Sequence, residues 1–160
     1  MASVTLRDVQ FQDLDILFAQ QLYEESIRMA AFTPKDPTDR PAFDARWERI
    51  LVDEAITKKV ILDGETVVGS VFCHNWYGQP EVGYWIDRPH WGRGYASEAL
   101  RQLLDIVPDR PLYAMIAADN EVSKRVVDKL GFVAEDTKRS FAEGRGEEIE
   151  EIVYVLGEGR

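Results

Sequence analysis

Apolar positions recur along this chain with two different periods, and the switches between them mark its elements. Residues 3 to 9 make a short β-like run. Leu14, Leu17, Phe18, Leu22 and Met29 then fall at near-helical spacing, with Asp13 and Asp15 suited to a helix start, so the pattern predicts one helix here. Three prolines between 33 and 41 require a loop, and Phe43, Trp47, Ile50 and Leu51 mark a second helix. Two β-rich runs from 58 to 73 meet at Asp63 and Gly64, a strong hairpin signal. A turn over 77 to 80 leads into a third run that ends near residue 86, and the three form an antiparallel meander.

Downstream, Ala96, Ala99, Leu100, Leu103, Leu104 and Val107 trace one helical face from residue 95 or 96. Pro108 and Pro111 bracket a break before the buried-strand pattern of 112 to 118. Val122, Val126, Val127 and Leu130 share a face of the next helix, and Gly131 sits where a left-handed cap residue is wanted. Two strands around a turn at 144 to 146 close the chain. The predicted order is β-α-α-β-β-β-α-β-α-β-β with four helices, an α/β (α+β) domain with a mixed, largely antiparallel sheet, and residues 1 to 160 read as one domain.

Between the third run and its helix lies WGRGYA, residues 91 to 96: strand, glycine loop, helix. This arrangement aims free backbone N–H groups and the positive end of a helix dipole at one point, which favours a phosphate. A dinucleotide fingerprint needs a third glycine where Ser97 stands, and a P-loop needs Gly-Lys-Ser/Thr. Neither pattern is met.

Composition narrows the partners. A net charge of −10 argues against nucleic acid, which is held by dense Lys and Arg. No apolar run reaches membrane-spanning length and the first ten residues lack a signal-peptide centre, so a cytoplasmic protein with no membrane partner is expected. The single cysteine, Cys73, can build neither an internal disulfide nor a thiolate metal site; it reads as a small buried hydrophobe, and no metal is expected.

The loop, with Tyr84, Trp85 and Ile86 before it and Asn120, Ser123, Leu130, Gly131 and Phe132 after it, resembles the GNAT N-acetyltransferase superfamily in its RimJ/RimL-like branch. Trp91, Gly94 and Ala96 fall on that family's Gln/Arg-x-x-Gly-x-Gly/Ala pattern, Trp91 departing from the usual first residue. The likeness is strong over residues 58 to 156 and rests on element order alone before them. It implies a fold whose fourth and fifth strands splay apart, and acetyl-CoA as cosubstrate with no metal. The diphosphate would take the amides of Arg93, Gly94, Tyr95, Ala96 and Ser97 beyond Trp91 and Gly92, with charge from Arg93. The pantetheine arm would pair with backbone near Trp85, Ile86 and Asp87 and bond Asn120.

By the same resemblance Glu81 is the candidate base for an ammonium acceptor, and Ser123 the candidate acid for the leaving thiolate, because Val127 stands where many members carry a tyrosine. His74 is a second candidate base by its ordinary titration range, while His90 shapes the loop. Glu24, Glu25, Trp47 and the cluster Glu147, Glu148, Glu150 and Glu151 are candidates for attracting a cationic amine, small or at a protein N-terminus. The family often forms homodimers, so one is an expectation here. The alternative is a coenzyme A-binding sensor or interaction module of the same fold that has lost turnover.

Overall fold

The computed structural model describes residues 3–157. The helices among them are α1 Leu14–Gln20, α2 Glu24–Ala30, α3 Arg40–Val52, α4 Tyr95–Ile106 and α5 Glu121–Lys129. The strands are β1 Thr5–Asp8, β2 Thr57–Asp63, β3 Thr66–His74, β4 Glu81–Ile86, β5 Leu112–Ala117, β6 Val133–Ala142 and β7 Glu147–Leu156. They form one open seven-stranded sheet in the order β1-β2-β3-β4-β5-β7-β6.

All strand pairs are antiparallel except β4 with β5, which run parallel and register only at Glu81 and Tyr113. From that point the two strands diverge, opening the splay that the family resemblance implies. The strand alternation divides two cores: Val60 faces α1 and α3, whereas its neighbour Ile61 faces α4 and α5. Leu100 and Leu103 of α4 are at most 1% exposed, so truncating either to Ala would cost about 2–5 kcal/mol. Cys73 is buried as expected, and Gly131 takes the positive φ of 94° that lets Phe132 N–H reach back to the Val127 carbonyl.

Two expectations need correction. The predicted first helix is two, α1 and α2, broken at residues 21 to 23, and the described residues hold five α-helices rather than four. The break lies at no proline or glycine. The Trp85 indole donates to the Gln20 carbonyl at 2.9 Å, the Gln20 amide donates to Val67 O, and Tyr23 takes extended backbone angles as the cap of α2. Val122, expected on the apolar face of α5, is 58% exposed, because that end of α5 borders an open cleft instead of the core.

After α2 the chain turns through Ala31, whose φ of 68° and ψ of −55° with a 2.7 Å Phe32 N–H to Ala30 O bond define a tight γ-turn. Arg145 in the β6–β7 turn fixes this corner with a two-pronged ion pair to Asp119 and a bond to the Arg28 carbonyl. The corner therefore holds Phe32 at the edge of the splay.

Candidate active site

The glycine loop ends in a bare helix start. Gly94 caps α4 with φ 79° and ψ 10°, a left-handed conformation that a side chain would strain, and no side chain bonds the first turn. The first helical bond runs from Glu98 N–H to Gly94 O, so the N–H groups of Tyr95, Ala96 and Ser97 have no partner within the helix. The loop ahead is clamped. The Trp91 indole donates to Ile86 O at 2.8 Å, and Arg88 lies 4.5 Å from the Trp91 ring while bonding Glu25 of α2. The Tyr95 hydroxyl donates to the Asp63 carboxylate, tying α4 to the β2–β3 hairpin.

The free edge of β4 supplies a second row of backbone groups. Pro80 O accepts from Tyr113 N–H on the β5 side, whereas Asp87 N–H donates to Val68 O on the β3 side. Because successive residues alternate, the N–H and C=O groups of Val82, Tyr84 and Ile86 point to the splay; Val82 N–H pairs with Tyr113 there and Ile86 O takes the Trp91 indole, which leaves Val82 O, both groups of Tyr84 and Ile86 N–H open. Trp85 and Asp87, grouped with Ile86 from sequence, have their backbone turned to β3. The Trp85 side chain still lines the cleft, and Asp87 lies outside its lining. Burial raises the Asp87 carboxyl, opposed in part by His90, and Oδ1 of Asp87 and Nδ1 of His90 are both buried without a hydrogen bond.

Between these two rows lies a cleft of about 910 Å³, lined by β4, the glycine loop, β5, α2 and α5. Glu81 stands at its inner end. Burial, reinforced by the like charge of Glu151 and offset by Lys138, pushes the Glu81 carboxyl up to about 7. His74, its antiparallel cross-strand partner, places Nε2 3.9 Å from Glu81 Oε2. Burial lowers the His74 pKa, so the ring is neutral at pH 7, and its Nδ1 accepts from Trp76 N–H at 3.4 Å, leaving the proton on Nε2 toward Glu81. The pairing follows from the hairpin register.

Ser123 sits in the first turn of α5 with its Oγ 2.6 Å from the Tyr84 hydroxyl across the splay. Burial raises the Tyr84 phenol, the Ser123 bond opposing it, so Tyr84 stays protonated near neutrality. Asn120 caps α5 by accepting from Ser123 N–H and donates to Met29 O of α2. Val127 is 1% exposed in the core. Sequence reasoning noted Tyr84 only as a match and gave it no role; its partnership with Ser123 is long-range and carries no local signal.

The mouth of the cleft was also missed. Arg125 and Lys129 of α5 join Arg93 there, a cationic rim on an acidic chain. Their i, i+4 spacing was the available signal. Of the acidic cluster, Glu147, Glu148 and Glu150 are exposed and outside the cleft, and only Glu151 lines it. Glu25 is paired with Arg88, Glu24 lies outside the cleft, and Trp47 lines a separate cavity behind the sheet. The Ser26 hydroxyl is buried in the cleft wall without a hydrogen bond, one more polar group available to a ligand.

Among the described residues, no group of His, Cys, Asp or Glu is arranged to hold a metal ion, and no helix is long and apolar enough to cross a membrane. Residues 3–133 match the family described as the Acetyltransferase (GNAT) domain. The chain is 23% identical to the uncharacterized N-acetyltransferase p20 of Bacillus licheniformis, over 96% of this chain and 92% of the relative. Among solved structures, the ribosomal-protein α-N-acetyltransferase RimL in complex with coenzyme A superposes with a TM-score of 0.83 at 16% identity, covering 98% of this chain and 95% of that one. A spermidine N-acetyltransferase from Vibrio cholerae, in complex with coenzyme A and spermine, gives 0.77 at 20% identity over 95% of each chain. With the family matched over most of its length and the splayed sheet, bare α4 terminus and free β4 edge in place, this chain belongs to the GNAT acetyltransferase family.

Proposed function

We propose that this protein transfers an acetyl group from acetyl-CoA to a primary amine. The observation that carries the reading is the convergence on one cleft of unbonded α4 amides, a β4 edge open around Tyr84 and a carboxyl titrating near neutrality. The residues fit the cosubstrate part by part. The Tyr95, Ala96 and Ser97 amides and the rim of Arg93, Arg125 and Lys129 suit phosphates; Val82 O, both backbone groups of Tyr84 and Ile86 N–H offer an extended amide arm the edge pairing of a further strand. Acetyl-CoA supplies a thioester carbonyl carbon as electrophile and a thiolate as leaving group.

An ammonium acceptor must lose a proton before its nitrogen can attack. Glu81, with a pKa of about 7, is divided between acid and base forms at neutral pH, the range in which a general base is effective. His74, with its Nε2 3.9 Å from Glu81 Oε2, stands beside that carboxyl without a direct hydrogen bond to it. The N–C bond forms as the C–S bond breaks, and the electron pair leaves on sulfur. Tyr84 and Ser123 act there as hydrogen-bond donors and not as full acids: an alkyl thiol titrates near roughly 8.5, below a phenol raised by burial, so complete proton transfer is uphill. Either hydroxyl can donate in the 2.6 Å Tyr84–Ser123 bond; in the reacting arrangement Tyr84 is the donor, which frees the serine proton for the developing thiolate.

Val127 favours a second reading, a coenzyme A-binding module without turnover. Thiol release with an amine panel, paired with calorimetry, separates the two. Acetyl-CoA binding with release at the uncatalysed rate for every amine supports the module, and absence of binding overturns both.

A further inference from the structure

A second cavity, of about 310 Å³, lies behind the main cleft between α1, α3, the loop after α2 and the strands β2 and β3. Phe32, Phe72 and Trp85 line both spaces, so the two lie on either side of one aromatic wall. Gly83 makes room for the Phe72 ring in this wall: a Cβ there would lie 2.6 Å from that ring. The walls are aromatic, Phe43, Trp47 and Trp76 among them, and no carboxylate lines them.

Two cations do line this cavity. The Arg46 guanidinium stands 6.0 Å from the Phe43 ring centre and, among the described residues, has no carboxylate partner. Burial and then the like charge of Arg49 lower its pKa, the opposite of the shift an acid partner gives Arg7, Arg40 and Arg101. Lys58 hydrogen-bonds only the backbone carbonyls of Asp53 and Ile56, with the Asp8 carboxylate as a more distant charge that Lys59 already pairs. The Thr33 hydroxyl is also buried in this wall without a hydrogen bond. A half-buried cation without a counter-charge is costly, so a site built this way favours an anionic ligand group.

Beyond the shared wall the sign reverses, since Glu81 and Glu151 line the inner end of the main cleft. We propose that the second cavity is the acceptor site and that it takes a small amine carrying a carboxylate and an aromatic or branched apolar body, a molecule of amino-acid type. The ammonium faces Glu81, the carboxylate faces Arg46 and Lys58, and the apolar body lies against Phe43 and Trp47. This rests on the acetyltransferase reading above. A polyamine would set its remote cations against Arg46 and Lys58, and a volume at the lower end of small-ligand pockets suits one amino-acid-sized molecule. The reaction balances as ammonium plus thioester giving amide, free thiol and one released proton.

The test compares L-phenylalanine and L-leucine with phenethylamine, which lacks the carboxylate, and with spermidine and an alanyl peptide, by thiol release. The expected result is a kcat/KM at least tenfold higher for L-phenylalanine than for phenethylamine, a ratio that falls toward one in Arg46→Met and in Lys58→Met. Quenching of tryptophan fluorescence by N-acetyl-L-phenylalanine, weakened at least tenfold in Arg46→Met, gives a readout free of turnover. Preference for spermidine or the peptide, or an unchanged ratio in both variants, overturns the acceptor assignment. Calorimetry with acetyl-CoA keeps the two readings apart: binding without any use of carboxylate-bearing amines overturns this inference alone, and absence of binding overturns the acetyltransferase reading beneath it.

Discussion

Glu81 concentrates the chemistry of the cleft in a single titration, with consequences for rate and stability that can be read separately. Its carboxyl ionises about 7 when folded against 4.5 in its ordinary state. The sign follows from a raised acid: its contribution to stability is fully present below pH 4.5 and is lost as pH rises through 7. At about 1.4 kcal/mol per unit the loss amounts to about 3 kcal/mol. Glu81→Gln is therefore expected to melt at a higher temperature than the parent at pH 8, the gap closing below pH 4.5 in melts followed by circular dichroism. For the reaction the same ionisation has the opposite merit, since only the carboxylate accepts a proton. Below pH 7, log kcat/KM should fall with unit slope; Glu81→Gln should remove that limb and lower kcat/KM by about 10²–10⁴-fold. The Tyr84–Ser123 pair makes a different prediction. Each hydroxyl acts on sulfur through a chain of two bonds, so Ser123→Ala and Tyr84→Phe should each lower kcat by about tenfold, and the double variant by little more than either. Additive losses in that cycle would show that the hydroxyls act separately.

Among the elements, the join of β4 to α4 was the most legible in the sequence, because its information is local. A β-rich run, two glycines and an apolar helical stripe specify strand, loop and helix, and the structure places α4 at Tyr95 as the pattern requires. The division between α1 and α2 was not legible, since it follows from the Trp85 indole reaching the Gln20 carbonyl, a contact 65 positions apart. The splay was likewise invisible to periodicity and came only through resemblance, because β4 and β5 each keep ordinary strand patterns and differ only in having a single registered pair. Glu81 and Ser123 could be picked out by that resemblance and His74 by its ordinary titration range, whereas the placing of His74 beside Glu81, the partnership of Tyr84 and the position of Arg125 and Lys129 at the cleft required register and packing. Gly94 tests the local part. At φ 79° an alanine would cost about 1 kcal/mol, a fall of roughly 2–4 °C in Tm for a chain of this size. If the α4 amides hold the diphosphate, Gly94→Ala should also weaken acetyl-CoA binding at least tenfold by calorimetry; unchanged affinity would show that the ligand does not rest on this helix start.

At the scale of the whole molecule, an acidic body with a net charge of −10 must receive a polyanion. Two electrostatic effects of opposite sign then compete. The carboxylates spread over the surface repel the ligand from a distance, and Arg93, Arg125 and Lys129 attract it at the mouth. Near 0.1 M salt, where the screening length is about 10 Å, the distant repulsion is largely damped, while pairs a few ångströms apart keep more of their strength. The rim therefore decides the outcome for the parent, and its affinity for coenzyme A should fall as salt is raised. Reversing two of the three rim charges, with Arg125→Glu and Lys129→Glu together, leaves repulsion at both ranges. Affinity should then drop at least tenfold at low salt and rise, not fall, as ionic strength increases from about 0.02 to about 0.3 M. Both side chains stand at the cleft edge of α5, clear of the buried Val126 and Val127 that anchor it; Lys129→Glu reverses a favourable charge in the last turn of α5, so the melting temperature should fall by only a few degrees while the salt slope changes sign. Calorimetric titrations at the two ionic strengths measure that slope, and a double variant whose affinity still falls with salt would place the phosphates away from this rim.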